Sequence, residues 1–204
     1  MRLPQSDWGP TLTPSACLYC GKRKQKVTVF TSVTHTKDEI GSLIADLSSY
    51  NGPTRRCARQ SLVAIGKPAV APLVALLSDP KRQTHWEAVK ALGEIGDPAA
   101  APALVHALED EWSGIRWLAA EGLIVMGREG LKPLLQALAH HSDSKWLREG
   151  AHHVLRTMSK ESELVSPVLQ ALEDIEPVVQ VPPAAERALF ALNRSSHSDG
   201  QQVG

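Results

Sequence analysis

The sequence predicts an all-α solenoid of about five antiparallel helix pairs. Three observations predict it. Gly66, Gly96 and Gly127 recur at spacings of 30 and 31. Pro72, Pro102 and Pro133 recur at the same spacings. Before each glycine, apolar and small residues fall at i, i+3, i+4 and i+7, one stripe of a 3.6-residue helix. A period near 30 with two amphipathic stretches per unit is the mark of stacked helical repeats.

The first stretch of each unit carries Ala58, Ser61, Leu62, Ile65; then Ala88, Ala91, Leu92, Ile95; then Ala119, Gly122, Leu123, Met126. Small residues in the stripe let neighbouring helices approach closely. The glycine ends the helix, because it takes the left-handed conformation without a Cβ clash. In the second unit Asp97-Pro98 follows at once, a good N-cap before a first-turn proline. The second stretch holds its recurrent proline near the start, where a missing N–H costs little. It then shows Leu73, Leu76, Leu77; Leu104, Leu108; Leu134, Leu135, Leu138. Asp79, Asp110 and Asp143 stand where the next turn begins.

Extending this register predicts ten helices, at 38–48, 54–65, 69–78, 83–95, 98–109, 114–126, 129–140, 145–158, 162–173 and 183–193. In the fourth unit Leu147, Ala151, Val154, Leu155 and Met158 match the third-unit stripe at an offset of 32, which pairs Arg148 with Arg116. SPVLQALED (166–174) is a fainter copy of the second stretch. EPVVQVPP (176–183) reads as extended, since residues before proline avoid the helical region. The chain divides into an N-terminal extension (1–36), a repeat domain (37–193) and a polar, disordered tail (194–204).

RWLAAEGLIVMGREGLKPLLQAL and HWEAVKALGEIGDPAAAPALVHALED resemble HEAT-like repeats of the phycobilisome-lyase type, over about residues 38–192. The resemblance implies a right-handed, armadillo-type α–α superhelix. Two groups with such repeats have defined chemistry, the bilin lyases and the di-iron deoxyhypusine hydroxylases. The resemblance places the hydroxylase iron ligands as His-Glu dipeptides at the start of the first helix of several units. The matching positions here are Arg56-Cys57, Trp86-Glu87, Trp117-Leu118 and Glu149-Gly150, and the chain contains no His-Glu dipeptide. A metal-dependent hydroxylase is therefore the least favoured of three readings. No motif tests the lyase-like, chromophore-binding reading, because this repeat serves many unrelated tasks.

Other chemistry is sparse. Cys17-Leu-Tyr-Cys20 resembles one knuckle of a zinc ribbon, but structural zinc takes four ligands, usually as two such pairs. Residues 1–36 thus read either as a disordered basic extension or as a degenerate knuckle, with Cys17 and Cys20 as weak metal candidates. The pairs His140-His141 and His152-His153 do not share a helix face, so neither chelates. There is no G-x-S-x-G, P-loop or H-E-x-x-H. The reading carries no catalytic residue and no cofactor.

Tryptophan is the informative oddity: five Trp beside two Tyr and two Phe. Trp86 and Trp117 hold the same repeat position, Trp146 lies one turn before the fourth copy of it, and Trp112 lies in the preceding turn. Stacked repeats bring these rings together beside Arg55, Arg116 and Arg148, either closing seams between units or lining a recognition groove. Trp and Arg are enriched at binding hot spots. The candidate partner-binding set is Trp86, Trp117 and Trp146 as apolar anchors, with Arg116, Arg148, Glu87, Glu121 and Glu149 setting polar register.

Charge narrows the partner class. Lys+Arg and Asp+Glu are both 22, which argues against a nucleic-acid ligand. The longest apolar run, Ala69 to Leu77, is nine residues and contains a proline, too short for a membrane span. MRLPQSDWGP lacks the pattern of a secretory leader, and three Cys make no disulfide framework. The N-terminal end is basic (Lys22 to Lys26, Arg55, Arg56, Arg59), and the C-terminal unit is acidic (Glu161, Glu163, Glu173, Asp174, Glu176). The expectation is a cytoplasmic, non-enzymatic scaffold that binds another protein.

Overall fold

A computed structural model describes residues 37–158 and 163–198. Among these residues there are ten α-helices and no strand: α1 (Lys37–Leu47), α2 (Gly52–Ile65), α3 (Lys67–Ala75), α4 (Arg82–Ile95), α5 (Ala101–Ala107), α6 (Ser113–Met126), α7 (Arg128–His140), α8 (Lys145–Met158), α9 (Ser166–Leu172) and α10 (Pro177–Ser198). Short 3-10 turns extend α3 and precede α5 and α9. The zinc-knuckle candidates Cys17 and Cys20 and the fifth tryptophan, Trp8, lie outside the described residues.

The first helices of the units, α2, α4, α6 and α8, stack in one layer, and α3, α5 and α7 form the second. The core runs between the layers as one continuous cluster. Its largest side chains are those of the two stripes, among them Leu62, Leu73, Leu92, Leu104, Leu123, Leu134 and Leu155. Ser61 is the stripe position that departs from this pattern; it is exposed.

Gly66, Gly96 and Gly127 are the only described residues with positive φ. They do two different jobs. Gly96 is left-handed (φ 67°, ψ 16°) and hands over to Asp97, whose carboxylate accepts from the Ala99 N–H at 2.9 Å. Gly66 and Gly127 instead end one helix and cap the next themselves, with ψ near −130°. Only glycine tolerates that region. These one-residue corners start α3 and α7 early, so Pro72 and Pro133 lie inside their helices rather than in the first turn.

The last helix departs most from expectation. Residues 177–183 are not extended; Pro177 starts α10, and Pro182 and Pro183 lie within it. A proline removes the donor for the carbonyl four residues back. For Pro182 that carbonyl belongs to Val178, and the Ser142 hydroxyl donates to it at 3.0 Å. Tertiary packing thus replaces the bond that proline forbids. α10 packs chiefly on α7 and α9. Ser142, just beyond the end of α7, meets the start of α10, and Arg128, at the start of α7, donates to the Leu192 carbonyl. α10 therefore runs antiparallel to α7 and follows it as a reversed helix, with α9 packed against it.

Glycine sets how closely the first layer packs. A Cβ on Gly122 would lie 3.0 Å from the Gly93 Cα and 2.8 Å from the Leu104 Cδ1. Gly122→Ala is expected to destabilise the fold by about 1–3 kcal/mol through overpacking. Gly41, inside α1, has nothing within 4 Å of its Cβ position. Gly41→Ala is expected to stabilise by about 0.5–1 kcal/mol. Urea unfolding of both variants checks the contrast.

Candidate functional site

The site is built on the N-terminal halves of α2, α4, α6 and α8 and on the turns before them. In three of these units an arginine three residues before the first stripe alanine reaches back over its own turn. Arg55 Nη1 donates to the Ser49 carbonyl at 2.7 Å. Arg116 Nη1 donates to the carbonyls of Asp110 at 2.8 Å and Glu111 at 3.1 Å. Arg148 Nη1 donates to the carbonyls of Ser142 and of Asp143, the latter at 2.9 Å. Each guanidinium ties a helix to the carbonyl six residues upstream. The second unit has His85 at this position, and its Nδ1 pairs with Asp110 across the seam at 3.0 Å. Arg116 and Arg148, candidate contacts in the sequence, thus spend part of their hydrogen-bonding capacity on their own turns.

The turns are also tied by aspartates. Asp79 accepts from the Lys81 N–H and Asp110 from the Trp112 N–H, each at 2.7 Å. Asp174 accepts from the Glu176 N–H at 3.2 Å.

The tryptophans divide. Trp86 is partly buried and packs against the core, the seam role. Trp117, Trp112 and Trp146 are 57%, 44% and 40% exposed. Cations cover three of the four rings. Arg82 lies 3.6 Å from the Trp112 centroid, Lys90 4.8 Å from Trp86 and Arg116 4.9 Å from Trp146. Among the described residues no cation is placed over Trp117, whose indole is also the most exposed of the four.

The acidic candidates divide as well. Glu87 is only 5% exposed and lies between Arg55 at 3.4 Å and Arg59 at 3.1 Å. Arg59 continues the network to Glu94. Its carboxylate is therefore committed inside the fold. Glu121 pairs with His153 at 3.0 Å, which joins equivalent positions of α6 and α8. Glu149 is exposed and pairs with Lys145 one turn earlier at 3.5 Å. His152 pairs with Glu173 at 3.0 Å.

Beside the network, α2 and α4 enclose an open concavity of ≈ 710 Å³, with Arg55, Arg56, Arg59, Arg82, Trp86 and Lys90 on its walls. Sequence reasoning named the basic residues of α2 but not their convergence with Arg82 and Lys90; the shared repeat register of α2 and α4 was the available signal. Among the described residues no group of three or more His, Cys, Asp or Glu converges as a metal site requires. No described helix is long and apolar enough to cross a membrane.

Residues 40–124 match the family of HEAT repeats. Over that span the chain carries HEAT repeats. The HEAT match agrees with the repeat type read from the Ala-Leu-Gly-x-Ile-Gly-Asp-Pro and Pro-x-Leu elements. No curated protein matches the chain. Among solved structures, it is similar to a chain in the complex of CpcE and CpcF of phycocyanin lyase from Nostoc sp. PCC7120. That likeness has a TM-score of 0.51 and 19% identity, and covers 76% of this chain and 98% of that one. An engineered protein aligns over 76% of this chain and 79% of its own, at 20% identity and a TM-score of 0.43. A designed armadillo repeat protein in complex with the peptide (KR)4 aligns over 81% and 92%, at 19% identity and a TM-score of 0.40. At these identities the lyase chain establishes a shared HEAT-like fold.

Removing a partner from a buried ion pair strands the other charge. Glu87→Ala is expected to cost about 3 kcal/mol in urea unfolding. Glu94→Ala, at the exposed end of the same network, is expected to cost about 1 kcal/mol or less.

Proposed function

We propose that this HEAT-repeat protein is a non-enzymatic scaffold that binds another protein along the edge carrying Trp112, Trp117 and Trp146. The observation that carries the reading is the exposure of three large indoles, 40–57%, on two consecutive units. Such rings return to the surface only at a cost in apolar exposure, and aromatic and Arg anchors dominate protein interfaces. Trp117 supplies an open face, Trp146 a ring with the Arg116 guanidinium 4.9 Å from its centroid, and Glu149 and Glu121 the polar rim. Pinning Arg116 and Arg148 to their turns rigidifies this edge before a partner arrives, which lowers the ordering cost of binding. In this reading residues 37–193 are the binding domain, flanked by an N-terminal extension and a C-terminal tail, and the protein is cytoplasmic.

A second reading, chromophore binding of the lyase type, draws on one observation: the fold shared with the phycocyanin lyase chain. Titration with a linear tetrapyrrole tests it. A shifted visible absorbance band that Trp117→Ala abolishes would favour it; an unchanged band removes it.

The scaffold reading makes a sharp prediction about Trp117. Because the ring is more than half exposed, Trp117→Ala is expected to change stability by no more than about 1 kcal/mol. The same change is expected to weaken partner capture by about 2 kcal/mol or more. Thermal unfolding beside affinity capture from native lysate, wild type against variant, checks both halves. A large loss of stability with unchanged capture would overturn the reading.

A further inference from the structure

We propose that the concavity between α2 and α4 docks a short acidic segment of the partner, two or three carboxylates flanking an apolar side chain. This deepens the protein-binding reading and rests on it.

The charges lining the concavity do not cancel. Arg55 and Arg59 are matched by Glu87 and Glu94. Arg56, Arg82 and Lys90 have no carboxylate partner among the described residues. Three unmatched cations therefore converge in a chain whose net charge is zero. Arg82 and Lys90 already rest on the faces of Trp112 and Trp86. Stacking holds a guanidinium in place while leaving its N–H edge available for a carboxylate. Partly buried Trp86 forms an apolar wall beside them. A volume of ≈ 710 Å³ accommodates a few side chains, not a domain.

The repeat register selects a peptide over a nucleic acid. A nucleic-acid strand needs cations that continue along its backbone. Here the position of Arg56 is filled in later units by Trp86, Trp117 and Glu149, and that of Arg59 by Val89, Ala120 and His152. Arg116 and Arg148 continue the position of Arg55 but are pinned to their own turns, so the unmatched cations stop after two units. A strand running on would meet Glu121 and Glu149, whereas a short acidic segment ends where the cations end.

Fluorescence anisotropy of the full-length protein tests this. The probes are labelled octapeptides with three Asp or Glu around a Leu, their Asn/Gln counterparts, and a single-stranded oligonucleotide. The acidic peptides are expected to bind, to weaken as salt rises, and to lose at least about tenfold in affinity in Arg56→Glu/Arg82→Glu. Lys132→Glu, on exposed α7 surface, is expected to leave binding unchanged, and circular dichroism confirms that each variant folds. Several results would overturn the proposal: no acidic peptide binding at low salt, equal binding of the Asn/Gln peptides, tighter binding of the oligonucleotide, or full displacement by inorganic phosphate. Salt-sensitive self-association through the acidic turn at 173–176 would assign the site to a second copy and also overturn it. If peptide binding fails while Trp117-dependent capture persists, this proposal falls and the protein-binding reading stands.

Discussion

The contact on which the site depends is the approach of α4 to α6 at Gly93 and Gly122. With no side chain on either residue, the two backbones meet where a Cβ would clash. That spacing sets how α6 stacks on α4. It places equivalent residues of successive units in a row, so that a cation on one helix can reach a ring or carboxylate on the next. Arg82 over Trp112 and His85 against Asp110 span this α4–α6 step; Arg116 over Trp146 and Glu121 against His153 repeat the pattern at the next, between α6 and α8. A wider α4–α6 seam would separate the first two pairs. The edge contacts at this seam therefore follow from two glycines buried well beneath them.

Arginine serves three ends in this small area. Arg55, Arg116 and Arg148 hold turns; Arg59 lies buried between Glu87 and Glu94; Arg56 and Arg82 remain without carboxylates. The buried network is better understood as fixing the register of α2 against α4 than as a large net source of stability, because desolvation offsets much of the Coulomb attraction. Its neutrality also leaves the surplus charge confined to the adjacent concavity.

The helical frame was legible because it is written in local signals. The stripes, apart from exposed Ser61, the glycine helix ends and Asp97 each act within a few residues and lie where the pattern placed them, although only Gly96 of the three glycines is left-handed. The helix through Pro182 was not legible, because the group that compensates it, Ser142, is 36 residues away. The tryptophan positions were legible from the repeat register, and the structure separates Trp86 from the exposed rings. The turn-holding role of Arg116 and Arg148 was hidden, since it depends on a backbone carbonyl whose direction only the folded turn defines. The burial of Glu87 had a fainter signal: it adjoins the stripe at Ala88, with Arg59 one unit earlier on the facing helix.

The reversed α10 gives the array a direction of growth. Successive second-layer helices otherwise repeat the same orientation, so each offers the next an equivalent docking face. α10 occupies the place after α7 with the opposite polarity and with Ser142 bound to its opening turn. α9 packs against α10 in turn, so beyond α7 the layer continues through a reversed helix rather than an equivalent face. A duplicated unit inserted among the internal ones would repeat the face that α5 offers α7, whereas one placed directly after α7 would have to displace the reversed α10.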